Sequence, residues 1–563
     1  MRSTNYWTGR RVSRRATLRG AGLGLAGLAG AALIGCGDSD EDGDSAGTAT
    51  PVATSVGGVA TGTATAAPTA NYGGELILSG GDLQKLDFQA TISTPTQYAS
   101  SLVFSRLIRY DPYSSLNDYV LQPDLADSWE VEADKVTFHL KKGAKWQNID
   151  PMNGREVTSA DIKYSLERVS TDSAEFVHAY KTGPIASIET PDDYTVVLNL
   201  ARPSASLLYD LASGQGMGIV PRELIEADGD LNTRWVGTGP FILEGWEQGT
   251  RIRFLRNPDY HRDGFPYADS IEWRFITDAS TNLANFLAGE LHYYSTDARE
   301  AADQIKSSTD AVVTSFTNLG GTHKVYNVGP KGPEALRDIR VRQAIDMGID
   351  REQILDLVQG GDGVIAGPPL PLGYGSWSLS AEEVAEAYAW NPAEAKKLLD
   401  ASGHAGLTLR NGYANTSSLS ADEGPLMQQT LAEIGVNIEL EPLERTVYLQ
   451  AQVDNDFELM SIGMGAYPDP DNYLFPTFHS DGTKNYGQVS DAKLDAAIEE
   501  SQGILVADDR IEFIKNLQRD WPEYLYRTYT VNQNTHQSWS SAVTGHFVPK
   551  GWDFQGLEGV SFA

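Results

Sequence analysis

Cysteine is nearly absent from this chain: Cys36 stands alone among 563 residues. No intrachain disulfide can form, so the fold rests on its core, and no second thiol is present for redox chemistry or a thiolate metal site. Histidine is scarce as well, nine in all and scattered with no close pair. Neither His-Glu-x-x-His nor Gly-x-Ser-x-Gly occurs in the body beyond residue 70, so the commonest metallo- and serine-hydrolase signatures are missing. No metal and no cofactor are expected, and His323, His404 and His479 read as structural or solvent-exposed. Basic residues are the minority, 44 Lys and Arg against 76 Asp and Glu, for a formal net charge of −32. That balance argues against nucleic-acid binding, which needs basic stripes, and fits solubility outside a cell. The leader's apolar run, Gly20 to Gly35, is 16 residues of mostly Ala, Gly and Leu. It falls short of the roughly 20 residues that span a membrane.

What precedes that run is basic. Arg2, Arg10, Arg11, Arg14, Arg15 and Arg19 stand before Cys36 with no acid among them. A charged start followed by a modest apolar stretch is the layout of an export signal, here residues 1–35. Ser13-Arg14-Arg15-Ala16-Thr17-Leu18-Arg19 resembles the twin-arginine motif, although Thr17 stands where Phe is usual; the twin-arginine and general secretion routes both stay open. Leu33-Ile34-Gly35-Cys36 resembles a bacterial lipobox, which implies that Cys36 is lipidated and becomes the mature N-terminus, anchored at the outer face of a membrane. Each buried lipid CH₂ contributes about 0.8 kcal/mol, and two or more chains give a stable anchor. Residues 36–70 are acidic and then rich in Gly, Ala, Thr and Pro, with no aromatic residue. Such a segment cannot bury enough surface to offset its ordering entropy. As a flexible tether it would hold a domain roughly 30 Å from its anchor.

The body from Asn71 is long enough for two or more lobes. Period-two runs predict strands at 74–78, 136–140, 194–200 and 251–255. Thr158 reads as the N-cap of a helix through Val169, and Asn391-Pro392 opens a helix ended by Gly403. Further helices are predicted over 491–501 and 508–521. Strands and helices interleave throughout, so the class is α/β or α+β in at least two lobes. Gly237-Thr238-Gly239-Pro240-Phe241 lacks the Gly-Lys-Ser/Thr ending of a nucleotide loop and reads as a turn into a strand. Arg340, Arg342 and Arg351, with Asp338, Asp346 and Asp350 nearby, read as a structural ion network.

Several blocks in fixed order then resemble one family. They are Gln122-Pro123-Asp124-Leu125-Ala126-Asp127-Ser128-Trp129-Glu130, Phe138 to Trp146, Thr158 to Arg168, Gly237 to Phe241, and Arg256-Asn257-Pro258-Asp259-Tyr260. Asp338 to Ile345, Asn391 to Leu399, and Tyr467-Pro468-Asp469-Pro470-Asp471 complete the set. Together they are similar to the peptide/nickel-type (family 5) solute-binding proteins of ABC importers, which include dipeptide- and oligopeptide-binding proteins. The resemblance implies an α/β, two-lobed periplasmic-binding-protein fold (class II, cluster C) with an extra subdomain in the first lobe. Lobe I would comprise 71–115, 235–320 and a return at 526–563, with the extra subdomain at 116–234 and lobe II at 321–525. The chain would cross between lobes near His323 to Val328 and near Tyr526 to Asn532. Ligand capture by hinge closure, delivery to permease subunits, a monomeric state and no catalysis are implied with it.

In peptide-binding relatives a tryptophan and an aspartate precede the Pro-Asp-Pro block, and the aspartate pairs with the peptide α-amino group. Aligned without gaps, those positions fall here on Gly463 and Ala466, and no acid lies between Glu458 and Asp469. A buried ammonium needs such a partner. The resemblance therefore implies a binder that is not a standard free-N-terminus peptide receptor, with an oligosaccharide, opine-like or blocked solute as the alternative. Contact positions expected on this basis are Met464, Ala466, Tyr467, Asp469 and Asp471 at the second-lobe wall. Thr94, Gln97 and Tyr98 follow the first strand, and Tyr374 and Trp377 lie in the loop Gly367 to Trp377. Trp539 and Trp552 read as core or lobe-surface residues. A sensor without a transport role and, remotely, a hydrolase using paired carboxylates are the other readings.

Overall fold

A computed structural model describes residues 71–563 except 115–118, 172, 174, 319–320, 368, 371 and 465–466. The leader, Cys36 and the tether therefore lie outside the described residues. Among the described residues no helix is long and apolar enough to cross a membrane.

Alternating residues build the first sheet. In Glu75–Gly80 the side chains of Leu76 and Leu78 are buried, and the strand pairs in parallel with Ser270–Phe275, setting Leu78 opposite Trp273. The sheet continues antiparallel through Arg251–Arg256 to Phe241–Glu247. Gly237-Thr238-Gly239 is indeed the turn into that last strand. A Cβ on Gly237 would stand 1.9 Å from the Val103 carbonyl oxygen, so backbone contact rather than phosphate binding requires glycine there.

A second, wholly antiparallel sheet runs Ala126–Val131, Lys135–Leu140, Thr195–Leu200, Ile185–Asp192. Helix Ser159–Val169 packs on it through Ile162, Leu166 and Val169. Asp161 starts this helix by accepting from the Thr158 backbone N–H at 2.9 Å. Both sheets share one large apolar core.

The other two large sheets meet end to end. One comprises Tyr293–Thr296, Val531–Trp539 and Val312–Thr317, with Gly363–Ile365 also paired to the central strand. The other orders Asn437–Leu443, Thr408–Ala414, Leu459–Met464, Gly321–Tyr326 and Arg527–Tyr529. The chain passes between them twice, between Thr317 and Gly321 and again at Thr530. The first passage precedes His323 to Val328, because Gly321–Tyr326 is already paired with Leu459–Met464. Helix Ser418–Ile434 carries Glu423 to this joint, where it is sealed from water beside Lys324 and accepts from Thr530 Oγ1 at 2.8 Å.

Local signals hold in the second lobe. Asn391 caps helix Pro392–Ser402 by accepting from the Glu394 N–H at 3.1 Å, and Gly403 ends it at φ 80°. The three arginines are structural. Arg340 pairs with Asp338 at 2.6 Å and Arg351 with Asp346 at 2.5 Å. Arg342 donates to the carbonyls of Leu525, Leu336 and Tyr524. Asp350 caps helix Arg351–Gln359.

Candidate functional site

A cavity of about 960 Å³ opens where the two passages cross. Its first-lobe wall begins at the end of strand Glu75–Gly80 with Ser79, Gly80 and Gly81 and continues to Thr94, Pro95 and Tyr98 at helix Thr94–Ser101. Trp273, Tyr293 and Gln537 form its floor. Thr322 and the stretch Thr416 to Leu419, at the start of helix Ser418–Ile434, face them from the second lobe.

Aromatic rings dominate the first-lobe side. Tyr98 stacks on Phe554 with centroids 4.2 Å apart, and Trp273 and Tyr293 stand 5.5 and 6.1 Å from the same ring. Burial, aided by the Asp553 charge, pushes the Tyr98 hydroxyl up to about 12, and burial likewise raises Tyr293. Both therefore remain neutral hydrogen-bonding groups at any physiological pH. Leu419, Val548 and Pro549 add apolar surface, and most of the remaining polar lining is hydroxyl and amide. Among the described lining residues there is no carboxylate, and the one base is Lys550. Its ammonium already donates to the Ser114 carbonyl at 3.0 Å and the Ser114 Oγ at 2.6 Å.

Of the positions singled out in the sequence, Thr94 and Tyr98 line this cavity. Gln97, one residue away, points into the lobe: its amide donates to the Phe88 and Thr91 carbonyls at 2.8 and 2.6 Å and accepts from the Gly216 N–H at 3.0 Å. Tyr374 and Trp377 are buried in the second-lobe core, where the Tyr374 hydroxyl accepts from the Tyr467 N–H at 3.2 Å. Tyr467 stands at the margin. Its ring lies 6.4 Å from that of Trp552, a cavity residue, and its hydroxyl accepts from Lys484 at 2.9 Å. Met464 ends strand Leu459–Met464 opposite Gly321, and Ala466 lies outside the described residues. Nothing stands within 4 Å of where a Cβ on Gly463 would be.

Asp469 and Asp471 belong to a different arrangement. Arg510, from helix Ala507–Arg519, grips Asp469 with both Nη atoms at 2.6 and 2.7 Å and reaches Asp471 at 2.9 Å. All three are buried. Beside them Asn472 Nδ2 donates to Asp210 Oδ1 at 3.0 Å, across a small 190 Å³ cavity that Phe475 and Arg202 also line. Burial raises the Asp210 carboxyl strongly, Lys181 opposing and Asp469 adding to the shift. Gln502 completes the seam: its carbonyl accepts from the Ala205 N–H at 3.1 Å and its side chain from Arg202. This seam ties residues 202–210 to the second lobe and lies apart from the large cavity.

Trp539 is core, as its sequence setting implied. Trp552 is not: it lines the large cavity, held at φ 61°. Sequence reasoning passed over Trp273, Tyr293, Gln537 and Phe554. Their only signal was aromatic or amide residues within ordinary strands and the C-terminal return, which does not separate a cavity wall from a core. Among the described residues no group of three His, Cys, Asp or Glu side chains is placed to hold a metal ion.

Comparison with known proteins places this architecture. The model of bacterial extracellular solute-binding proteins, family 5 Middle, matches residues 120–485. Di/tripeptide-binding protein 1 of Pseudomonas aeruginosa is 27% identical over 479 residues, covering 80% of this chain and 87% of its own. A dipeptide-binding protein of the same species is 26% identical, covering 81% of this chain and 89% of its own. Among solved structures, AgaA of Agrobacterium tumefaciens R10 in complex with agropinic acid superposes with a TM-score of 0.71 at 24% identity, covering 87% of this chain and 99% of AgaA. The oligopeptide-binding protein AppA of Bacillus subtilis, in complex with a nonapeptide, gives 0.69 at 20% identity, covering 88% of this chain and 100% of AppA.

Proposed function

This chain belongs to the bacterial extracellular solute-binding proteins of family 5, and from that premise we propose that the solute it captures is uncharged where it meets the cavity wall. The coarser function follows from the family. The protein is the solute-binding component of a peptide/nickel-type ABC importer, it works outside the cytoplasm with permease subunits, and it performs no chemistry on its ligand. The observation that carries the finer reading is the cavity lining, where the described residues include no carboxylate and a single lysine engaged by Ser114. A free peptide N-terminus buried there would be an ammonium without a counter-charge, which is costly. Hydroxyls, amides and aromatic faces instead suit a blocked peptide or a neutral oligosaccharide.

In this reading Thr94, Tyr98, Trp552 and Phe554 contact the ligand from the first lobe. The open space beside Gly463 leaves room for the solute at the second-lobe wall. Asp469, Asp471, Gln97, Tyr374 and Trp377 support the walls rather than touch the solute. Cys36 carries the lipid anchor and residues 37–70 the tether, so that a monomer reaches its permease while staying at the membrane.

Calorimetric titration of the purified protein with Ala-Ala-Ala, with its N-acetylated amide and with cellotriose tests the ligand class. Binding of an uncharged probe with weak or no binding of the free tripeptide is expected. Tight binding of Ala-Ala-Ala, abolished by acetylation, would overturn the reading.

A further inference from the structure

The seam between residues 202–210 and the second lobe encloses a cavity of 190 Å³ whose chemistry differs from that of the large one. A single water needs roughly 10–15 Å³, so there is room here for a molecule of several heavy atoms. Tyr180, Pro184 and Arg202 line it from one side, and Phe475, Pro476 and Lys484 from the other. Its walls are largely apolar, and both lobes contribute to them. Where the large cavity has no carboxylate among its described lining residues, this one has Asp210, which is only 4% exposed.

The other charged groups at this cavity are engaged. Asp471 pairs with Arg510 at 2.9 Å and accepts from Ser501 Oγ at 3.1 Å. Arg202 donates to Gln502 and its guanidinium lies 5.8 Å from the Phe475 ring centre. Lys484 Nζ donates to the Tyr467 hydroxyl at 2.9 Å. Both of these cations are exposed, so water and salt screen them. Asp210 is only half matched. Its Oδ1 accepts from Asn472 Nδ2, whereas its Oδ2 accepts from no donor among the described residues. Nor is Oδ2 one of the unpartnered atoms sealed from solvent, so it is open to the cavity that Asp210 lines. Lys181, whose charge reaches Asp210 through space, donates instead to Ser213 Oγ at 2.8 Å and the Gln215 carbonyl at 3.2 Å. Burial raises the Asp210 carboxyl to about 7. Above that value it is ionised, and it then lacks a hydrogen-bonded counter-charge.

We propose that this seam cavity is a second binding site, for a small primary ammonium with an apolar body. Its N–H donates to Asp210 Oδ2, and its hydrocarbon packs against Phe475, Pro476 and Pro184. An ammonium supplies donor and counter-charge together, and such a charge-assisted bond is roughly twice as strong as a neutral one. An alcohol supplies only the donor. A carboxylate meets Asp210 as a like charge and leaves Oδ2 unmatched. A metal ion fits poorly, because Asp471 is taken by Arg510 and no group of three acidic, His or Cys side chains stands together among the described residues. The site is separate from the large cavity and does not rest on the uncharged-solute reading. Its walls come from both lobes, so its occupant bridges them.

Benzylamine, benzyl alcohol and benzoate share one ring and differ in the polar group. Calorimetric titration of the purified protein with each at pH 8 therefore separates charge from shape. Benzylamine is expected to bind at millimolar concentration or below, with the alcohol and the benzoate about tenfold weaker or more. Asp210→Asn keeps the size and the acceptor for Asn472 but removes the charge. It should weaken benzylamine about tenfold while melting near the wild-type temperature. Should that variant fail to fold, wild-type crystals soaked in benzylamine decide, with ligand density expected between Asp210 and Phe475. Equal binding of the three probes, unchanged benzylamine affinity in folded Asp210→Asn, density elsewhere, or no binding at all would each overturn the site. None of these outcomes touches the reading of the large cavity.

Discussion

His178 is buried among first-lobe segments, with Nε2 2.8 Å from the Thr91 carbonyl oxygen to which it donates. Burial, with the Lys181 charge second, holds its pKa down to about 3, against an ordinary value of about 6.5. Folding therefore keeps the imidazole neutral. Its contribution is fully present above pH ~6.5 and is lost as pH falls from there toward ~3, at about 1.4 kcal/mol per pH unit. The advantage of the wild type over His178→Gln in urea unfolding should accordingly shrink from pH 7.5 to pH 5, and a constant difference would refute the assignment. At this scale the sequence was partly legible. The missing acid between Glu458 and Asp469 could be read directly, and so could the departures from the family pattern at Gly463 and Ala466. The role of Asp469 could not, because its partner Arg510 lies 41 residues away and only packing brings the two together.

Elements were the most legible level. Thr158, Asn391 and Gly403 mark helix ends through bonds made within one turn, so a short window of sequence contains the whole cause. Period-two burial marked Lys135–Leu140 and Thr195–Leu200 for the same reason. What joins elements is less visible. Glu423 on helix Ser418–Ile434 binds Lys324, in the strand that follows the first passage between the sheets, and Thr530 of the second passage. Glu423→Ala would leave Lys324 buried without its counter-charge, and removing one partner of a buried pair typically costs about 3–5 kcal/mol. Denaturant unfolding should show a loss of that order, with Glu423→Gln losing less because the amide still accepts from Thr530. Equal losses in the two variants, both of which remove the charge, would show that the ion pair with Lys324 alone, and not the Thr530 bond or packing, holds the joint.

For the whole molecule, the seam between residues 202–210 and the second lobe is a second place, besides the ligand, where the lobes hold together. Asn472 to Asp210 and Gln502 to Arg202 and Ala205 are its bonds. In the proposed hinge closure, a population shift, contacts across the seam would favour the closed form. Asn472→Ala should raise the dissociation rate of a bound neutral probe roughly fivefold, as expected for a net loss of about 1 kcal/mol, with little change in association. Stopped-flow tryptophan fluorescence measures both rates, and an unchanged dissociation rate would mean the seam does not govern opening.

The α/β class and the family were determined by sequence alone, because each rests on short-range periodicity or ordered local blocks. Two features were decided only by the tertiary structure. One is which aromatic residues face the solute, with Trp273 and Trp552 on the cavity and Trp377 and Trp539 in cores. The other is which carboxylates are free to meet it, since Asp469 and Asp471 are held by Arg510. The physical reason is common to both. Burial and ion pairing depend on residues distant in the chain, and a side chain's neighbours exist only once the lobes have packed.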